Sequence, residues 1–364
     1  MQLPSALSWL VDAASASSGA DRLLAELGAH LISDGVPLAG GSLTLAMPHP
    51  LIARRTWLWR ADTGAVIEAL GFAGAVLDAG GSSDSGGDAG RRWLAALASG
   101  VVQEDAAGPG ADAPVLGWIG PHAFTAAEAE QLRQVARFAT APLAALAARA
   151  TLTAALEAYL GRRSAARVLA APLRRGVGET IRAALLYADL RGFTALSETT
   201  APAELIAALG AWFDRVAGAV HAFGGEVLKF IGDGVLAIFP VGGESPRGAC
   251  EAALRAVAAA RAGMAHLDTT RRAQGLPPLP FGVALHLGEI LWGNIGAADR
   301  LDFTALGPAV NLVSRLEGLC RPLERAVLVS GAIAAETDMP LVSLGTHALR
   351  GIAAPCAVFT VPDG

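Results

Sequence analysis

Apolar residues in the first third of the chain alternate between helical and strand spacing. Over residues 20–32, Leu23, Leu24, Leu27 and Leu31 fall on one face and predict a helix lying against a sheet. Residues 41–47 and 56–60 are short runs with strand composition. Two segments rich in Gly, Ser, Asp and Pro, 80–90 and 105–114, predict flexible turn-rich insertions. Thr125 followed by Glu128 is a capping-box pattern. It opens an alanine-rich helical pattern over 126–168, interrupted only at Pro142 and Gly161. After a loop at 174–178 the signal changes. An apolar run ends at Asp189, and a helical run follows through Leu196, Leu205, Leu209 and Phe213. Two further apolar runs flank Gly232-Asp233-Gly234, a hairpin signal, and place Phe230, Ile231, Leu236 and Ile238 in a core. Residues 275–280 make a stiff, proline-rich lead into a strand at 281–286, in which His286 reads as a sheet residue. Gly307-Pro308 opens a last helix, with proline where its missing N–H costs little.

With 364 residues the chain has room for two domains and a connecting helix. The pattern places a first domain at 1–145, a helical linker at 146–178 and a second domain at 179–364. The 53% hydrophobic content and mean hydropathy of +0.44 raise the possibility of a membrane protein. The excess is mostly alanine, however. The most membrane-like stretch, 138–160, contains Pro142, Arg149 and Glu157, so no span of roughly 18–20 apolar residues is expected. No basic segment of a signal peptide opens the chain. Cys250, Cys320 and Cys356 have no metal-site spacing and read as reduced thiols. A net charge of -5 argues against bulk nucleic-acid binding. A soluble, cytoplasmic protein is the expectation.

Asp189 and Asp233 change that picture, because each sits where a strand should give way to a tight turn. Strand ends hold side chains rigidly, and two converging carboxylates make a hard-oxygen site for Mg²⁺ or Mn²⁺. Two such ions about 3.5–4 Å apart can activate an attacking oxygen and stabilise a leaving one. Gly192, Phe193 and Thr194 open the next helix, where backbone N–H groups favour phosphate. Lys229 lies inside Val-Leu-Lys-Phe-Ile, so it needs either a charge partner or an edge strand. Asn311 and Arg315 share a helix face four residues apart, offering an amide for a ribose oxygen and a guanidinium for phosphate charge.

Asp189-Leu-Arg-Gly-Phe-Thr, Gly-Gly-Glu-Val-Leu-Lys229-Phe-Ile-Gly-Asp233, and Thr304 followed by Val-Asn311-Leu-Val-Ser-Arg315-Leu-Glu resemble the class III nucleotidyl cyclases in order and spacing. The resemblance covers roughly 180–360 and implies an α+β, ferredoxin-like catalytic domain that dimerises head to tail with active sites at the interface. The 1–145 segment resembles a GAF-like α+β sensory domain in layout. The cyclase resemblance implies that Asp189 and Asp233, with the Leu190 carbonyl, hold two Mg²⁺ or Mn²⁺ ions per active site. It assigns adenine recognition to Lys229 and to the position seven residues before the asparagine, which is Thr304. Asp302 is a tempting but wrong choice for that position, since many adenylyl cyclases use aspartate in that role. A Lys/Thr pair resembles the threonine subgroup of adenylyl cyclases, often linked to a bicarbonate response; guanylyl cyclases typically carry Glu and Cys. Asn311 would align the ribose, Arg315 would stabilise the α-phosphate, and Arg350 would face the terminal phosphates.

The expectation is therefore an adenylyl cyclase making 3′,5′-cyclic AMP and pyrophosphate from ATP as a homodimer, regulated by its N-terminal domain. The alternatives are a guanylyl cyclase and a catalytically silent nucleotide-binding regulator. A diguanylate cyclase is disfavoured because its Gly-Gly-Asp/Glu-Glu-Phe loop is absent. One departure is Gly307-Pro308-Ala309, where family members commonly have Gly-Asp-Thr or Gly-Asn-Thr before Val-Asn.

Overall fold

The computed structural model describes residues 4–14, 19–47, 52–72, 88–172 and 174–362. It divides into two units, meeting in sequence between Tyr159 and Leu160.

In the first unit, α1 (Ser5–Asp12) and α2 (Ala20–Ser33) precede β1 (Gly40–Ala46), β2 (Ile52–Arg60) and β3 (Val66–Phe72). Then come α3 (Asp88–Leu97), β4 (Gln103–Ala106), β5 (Val115–Ile119), α4 (Ala126–Phe138) and α5 (Thr140–Leu160). The five strands pair in the order β3-β2-β1-β5-β4, all antiparallel. Alternate residues of β1, β2 and β5 (Leu43, Leu45, Trp57, Trp59, Leu116 and Trp118) join the apolar stripe of α2 and the buried face of α4 in one core. The expected α2 stripe is fully inside: Leu23, Leu24, Leu27 and Leu31 are at most 1% exposed. Both bonds of the Thr125–Glu128 capping box form.

The alanine-rich stretch is three helices rather than one interrupted helix. It breaks at Ala139 and Gly161, while Pro142 lies in the first turn of α5, where a missing N–H costs no helical bond. Gly161 takes φ 81°, which ends α5 and stands before α6 (Arg162–Ala170). The expected flexible segment 105–114 begins as the end of β4. Of segment 80–90, residues 80–87 lie outside the described residues and 88–90 open α3. The sequence reading expected no span here; by length and composition alone, α5 is long and apolar enough to cross a membrane, with mean hydropathy 1.3. Leucine and alanine outweigh Arg149 and Glu157 there.

The second unit begins with α6 and is built on β6 (Gly178–Leu190). There follow α7 (Phe193–Thr199), α8 (Pro202–Ala222), β7 (Glu226–Ile231), β8 (Gly234–Pro240), α9 (Arg247–Ala273), β9 (Phe281–Gly296) and β10 (Leu301–Leu306). The chain ends with α10 (Pro308–Glu317), β11 (Val327–Ser330), α11 (Gly331–Ala334), β12 (Val342–His347) and β13 (Cys356–Thr360). The sheet order is β12-β13-β11-β9-β6-β8-β7, with β10 paired to the far half of β9; among the described residues of this sheet only β9 and β11 run parallel. Period-two alternation divides β6 cleanly. Ala184, Leu186, Ala188 and Leu190 pack under α8 and α9, whereas Ala183 and Leu185 pack under α10.

The helical run after Asp189 is split: α7 ends at Thr199 and α8 restarts with Pro202 at its first turn. Leu236 and Ile238 are buried as expected, but Phe230 and Ile231 are 50% and 47% exposed. β7 is the sheet's edge strand, and a hydrophobic run there does not need to be covered on both sides. α6 docks onto the start of β7, where the buried Glu226 carboxylate accepts from both the backbone N–H and the hydroxyl of Ser164. His286 is a sheet residue whose Nδ1 lies 2.9 Å from the Ser330 hydroxyl. Burial pulls its pKa down to about 4. Cys250 and Cys320 are buried free thiols; Cys356, also free, is half-buried.

Candidate active site

β6 delivers Asp189 one residue before its end, and the β7–β8 hairpin delivers Asp233 beside it. The hairpin turn is two residues long, since Ile231 pairs Gly234, and Gly232 takes φ 62° at its first position. A positive φ at that position alone is the type II′ pattern, whose twist matches the strands. Gly234 is required for a different reason: a Cβ there would lie 2.7 Å from the Tyr187 hydroxyl. The turn is pinned from below by Trp212 of α8, fully buried, whose indole N–H donates to the Asp233 carbonyl at 2.9 Å. Trp212 also packs on Phe281, ring centroids 5.0 Å apart. Neither Trp212 nor Tyr187 was singled out by sequence pattern, because each sits in an otherwise ordinary apolar stripe. Trp212→Phe should keep the packing and lose the bond, which costs about 1 kcal/mol. The expected result is a several-fold rise in the Mg²⁺ concentration giving half-maximal activity with little change in secondary structure by circular dichroism.

Asp189 Oδ1 is buried with no hydrogen-bond partner in the chain. Burial, the abutting Asp233 carboxylate and the more distant Glu317 together push Asp189 up to about 8. Its own burial, and after that the Asp189, Glu317 and Asp233 carboxylates, raise Tyr187 to about 12. An orphaned carboxylate oxygen with a second carboxylate against it is a site built for a cation. Among the described residues no cluster of three His, Cys, Asp or Glu side chains could hold a metal by themselves. The donor set therefore fits a hard ion that takes few protein carboxylates and fills its remaining positions with a backbone carbonyl, water and phosphate.

Glu317, at the C-terminal end of α10, is a third carboxylate that the sequence reading left as the tail of a motif. Its side chain lies over Gly282, where a Cβ would come within 2.3 Å of Oε1, and Gly282 is the β9 partner of Asp189. Burial raises the Glu317 pKa, Arg191 opposes the shift, and Asp233 adds to it. Arg191 is held by the carbonyls of Cys320 and Arg325, which ties the strand end carrying Asp189 to the chain just beyond α10.

Lys229 has the charge partner its apolar setting demanded: its ammonium donates to Asp302 of β10. A bulge between Val227 and Lys229 sets Lys229 opposite Leu236, on the sheet face shared with α10 and Asp189. Thr304 is buried, two residues beyond Asp302 and on the same face of β10. Asn311 and Arg315 lie on the exposed side of α10, whose opposite side buries Ala309, Val313 and Leu316. Gly307, at φ 141°, and Pro308 at the first turn start that helix as expected. Gly192 caps α7 at φ 74°, so Phe193 and Thr194 open a helix of seven residues. A cavity of about 370 Å³ lies beside it, lined by Leu190 to Phe193 and by Pro277 to Pro280. Arg350 lies exposed in the β12–β13 turn, at the end of the sheet opposite Asp189. Within one chain, then, Asp189 meets Asp233 and Lys229 meets Asp302. Among the described residues no hydrogen bond or ion pair joins these groups to Asn311, Arg315 or Arg350.

A carboxylate pair at the end of a central strand, a lysine on the adjoining hairpin and an Asn/Arg helix on the same sheet are the arrangement that the resemblance to class III nucleotidyl cyclases implies. Residues 178–351 match the family model described as the adenylate and guanylate cyclase catalytic domain. Adenylate cyclase 1 from Rhizobium meliloti (strain 1021) is 34% identical over 178 residues, 48% of this chain and 27% of that protein. An adenylate cyclase from Anabaena cylindrica is 30% identical over 169 residues, 45% of this chain and 32% of that one. The chain thus spans about a third of the length of these curated relatives. A crystal structure of the adenylyl cyclase CyaB from P. aeruginosa aligns with TM-score 0.48 at 28% identity, over 52% of this chain and 97% of that one.

Proposed function

We propose that the chain is an adenylyl cyclase that converts ATP to 3′,5′-cyclic AMP and pyrophosphate, working as a homodimer whose two active sites are each shared between subunits. The observation that carries this reading is the orphaned Asp189 oxygen against Asp233, in a domain whose remaining family positions (Lys229, Thr304, Asn311 and Arg315) are all filled, with no hydrogen bond or ion pair from them to that pair among the described residues.

Asp189, Asp233 and the Leu190 carbonyl would hold two Mg²⁺ or Mn²⁺ ions, which when bound lower the pKa of the ribose 3′-hydroxyl and neutralise charge on the phosphates. Lys229 donates to an adenine ring nitrogen and Thr304 accepts from the adenine amino group, the Lys/Thr combination of the threonine subgroup. Asn311 aligns the ribose so that its 3′-oxygen attacks the α-phosphorus in line. Arg315 takes the charge that develops on the α-phosphate as pyrophosphate leaves, and Arg350 meets the terminal phosphates. The backbone at Gly192, Phe193 and Thr194 offers N–H groups to the same phosphates.

Exposed apolar side chains around the half-sites support the shared arrangement. Ile206, Phe230, Ile231, Leu291 and Leu306 are between 39% and 70% exposed on a single chain, as residues that meet a second copy would be. The first unit, an antiparallel sheet with α2 and α4 against one face, suits a GAF-like sensory role upstream of the catalytic unit. With ATP as its substrate, the catalytic unit would work in the cytoplasm.

The test is to supply the purified chain with Mn²⁺ and either ATP or GTP and to measure both cyclic nucleotides. Cyclic AMP from ATP, with GTP turned over at least tenfold less efficiently, is expected. Cyclic GMP as the main product would make it a guanylyl cyclase, and no product from a proven dimer would make it a silent regulator.

A further inference from the structure

Lys229 and Asp302 come from strands that are not neighbours in the sheet order, yet they form a direct ion pair. Two local features make the meeting possible. The bulge after Val227 turns Lys229 toward the α10 face, and β10, paired only with the far half of β9, brings Asp302 to it. The side chains are 32% and 51% exposed, so the pair is open to an incoming ligand rather than sealed in the core.

We propose that Asp302 is the positioning residue that makes Lys229 selective for adenine over guanine. The proposal rests on the assignment of Lys229 as base reader above. An ammonium carries three N–H donors and no acceptor on a flexible four-carbon stem. Adenine presents ring N1 as an acceptor where guanine presents N1–H, but guanine's neighbouring O6 is also an acceptor. A lysine free to swing can therefore satisfy either base. A lysine with one donor committed to Asp302 keeps its remaining donors in one direction and cannot follow the acceptor from N1 to O6. Selectivity then comes from the tether as much as from the lysine, with Thr304, on the same β10 face, completing the recognition. On this view Asp302 acts on the base only through Lys229 and needs no contact with the nucleotide itself.

The experiment compares Asp302→Ala, Asp302→Glu, Lys229→Ala and the Lys229→Ala/Asp302→Ala double variant in the full chain, measuring kcat and KM for ATP and GTP together with the thermal midpoint. Asp302→Ala is expected to raise KM for ATP about tenfold, change kcat less than about threefold, and lower the ATP/GTP ratio of kcat/KM about tenfold, the size expected for one misdirected charged hydrogen bond. Asp302→Glu should recover part of the ratio, and the double variant should lose no more than Lys229→Ala alone. An Asp302→Ala enzyme with an unchanged ATP/GTP ratio, or additive losses in the double variant, overturns the proposal and leaves the pair a strand tether. If Lys229→Ala itself leaves the ratio unchanged, the base-reading assignment falls and the proposal falls with it.

Discussion

Two inactive variants, Asp189→Ala and Arg315→Ala, should regain activity when their subunits are combined. Asp189→Ala removes half of the carboxylate pair, and Arg315→Ala removes the guanidinium proposed to meet phosphate charge; each homodimer should lose about 10²–10³ in rate or more. In a heterodimer the two lesions fall together in one site and spare the other. That surviving site takes Asp189 and Asp233 from the Arg315→Ala subunit and Arg315 from the Asp189→Ala subunit. Tandem-tag purification of heterodimers should therefore give close to half the wild-type activity per dimer. The physical basis is the lack of contact within one chain: Asn311 and Arg315 face outward on α10, with no bond to the half-buried carboxylates among the described residues. Proven heterodimers that stay inactive would exclude a site shared in this way.

The second large effect concerns the carboxylate pair without its metal. In the folded chain Asp189 is raised to about 8, above its ordinary value of 3.8. The folded state then binds an extra proton between those values, so its stability is fully present below about pH 4 and is lost as the pH climbs toward and through 8. Metal-free protein should accordingly melt at a lower temperature at pH 8.5 than at pH 6. Mg²⁺ or Mn²⁺ should restore the midpoint, with a larger increment at pH 8.5, because a cation replaces the proton between Asp189 and Asp233. Asp189→Asn removes the titrating group. It should abolish activity, raise the metal-free midpoint at pH 8.5 by about 2–4 °C, and erase most of the metal-induced shift. Differential scanning calorimetry with and without chelator reads all three. A metal increment independent of pH, surviving in Asp189→Asn, would place the ions elsewhere.

Much of the catalytic unit was legible because its signals are local. Gly232-Asp233-Gly234 demands a tight hairpin, Gly307-Pro308 starts a helix, and Asn311 with Arg315 shares a face by helical period alone. The capping box at Thr125 and the leucine stripe of α2 are local in the same sense. What failed depended on where a strand or helix sits. Phe230 and Ile231 were assigned to the core by composition, but β7 lies at the edge. The helical run after Asp189 was read through Thr200, Ala201 and Pro202, although proline opens a new helix there. Trp212, Glu317 and Tyr187 went unremarked, since an indole, a carboxylate and a phenol acquire their roles only from neighbours distant in sequence.

The sequence by itself determined which chemical groups the proposed nucleotide site has to draw on, because motif order and turn chemistry are written in consecutive residues. Only the tertiary structure decided how those groups are tuned. The bulge in β7 and the return of β10 give Lys229 its partner in Asp302, and the convergence of β6, the β7–β8 hairpin and α10 sets three carboxylates near one another. Ion pairing and desolvation depend on distance in space, and no periodicity along the chain encodes that distance.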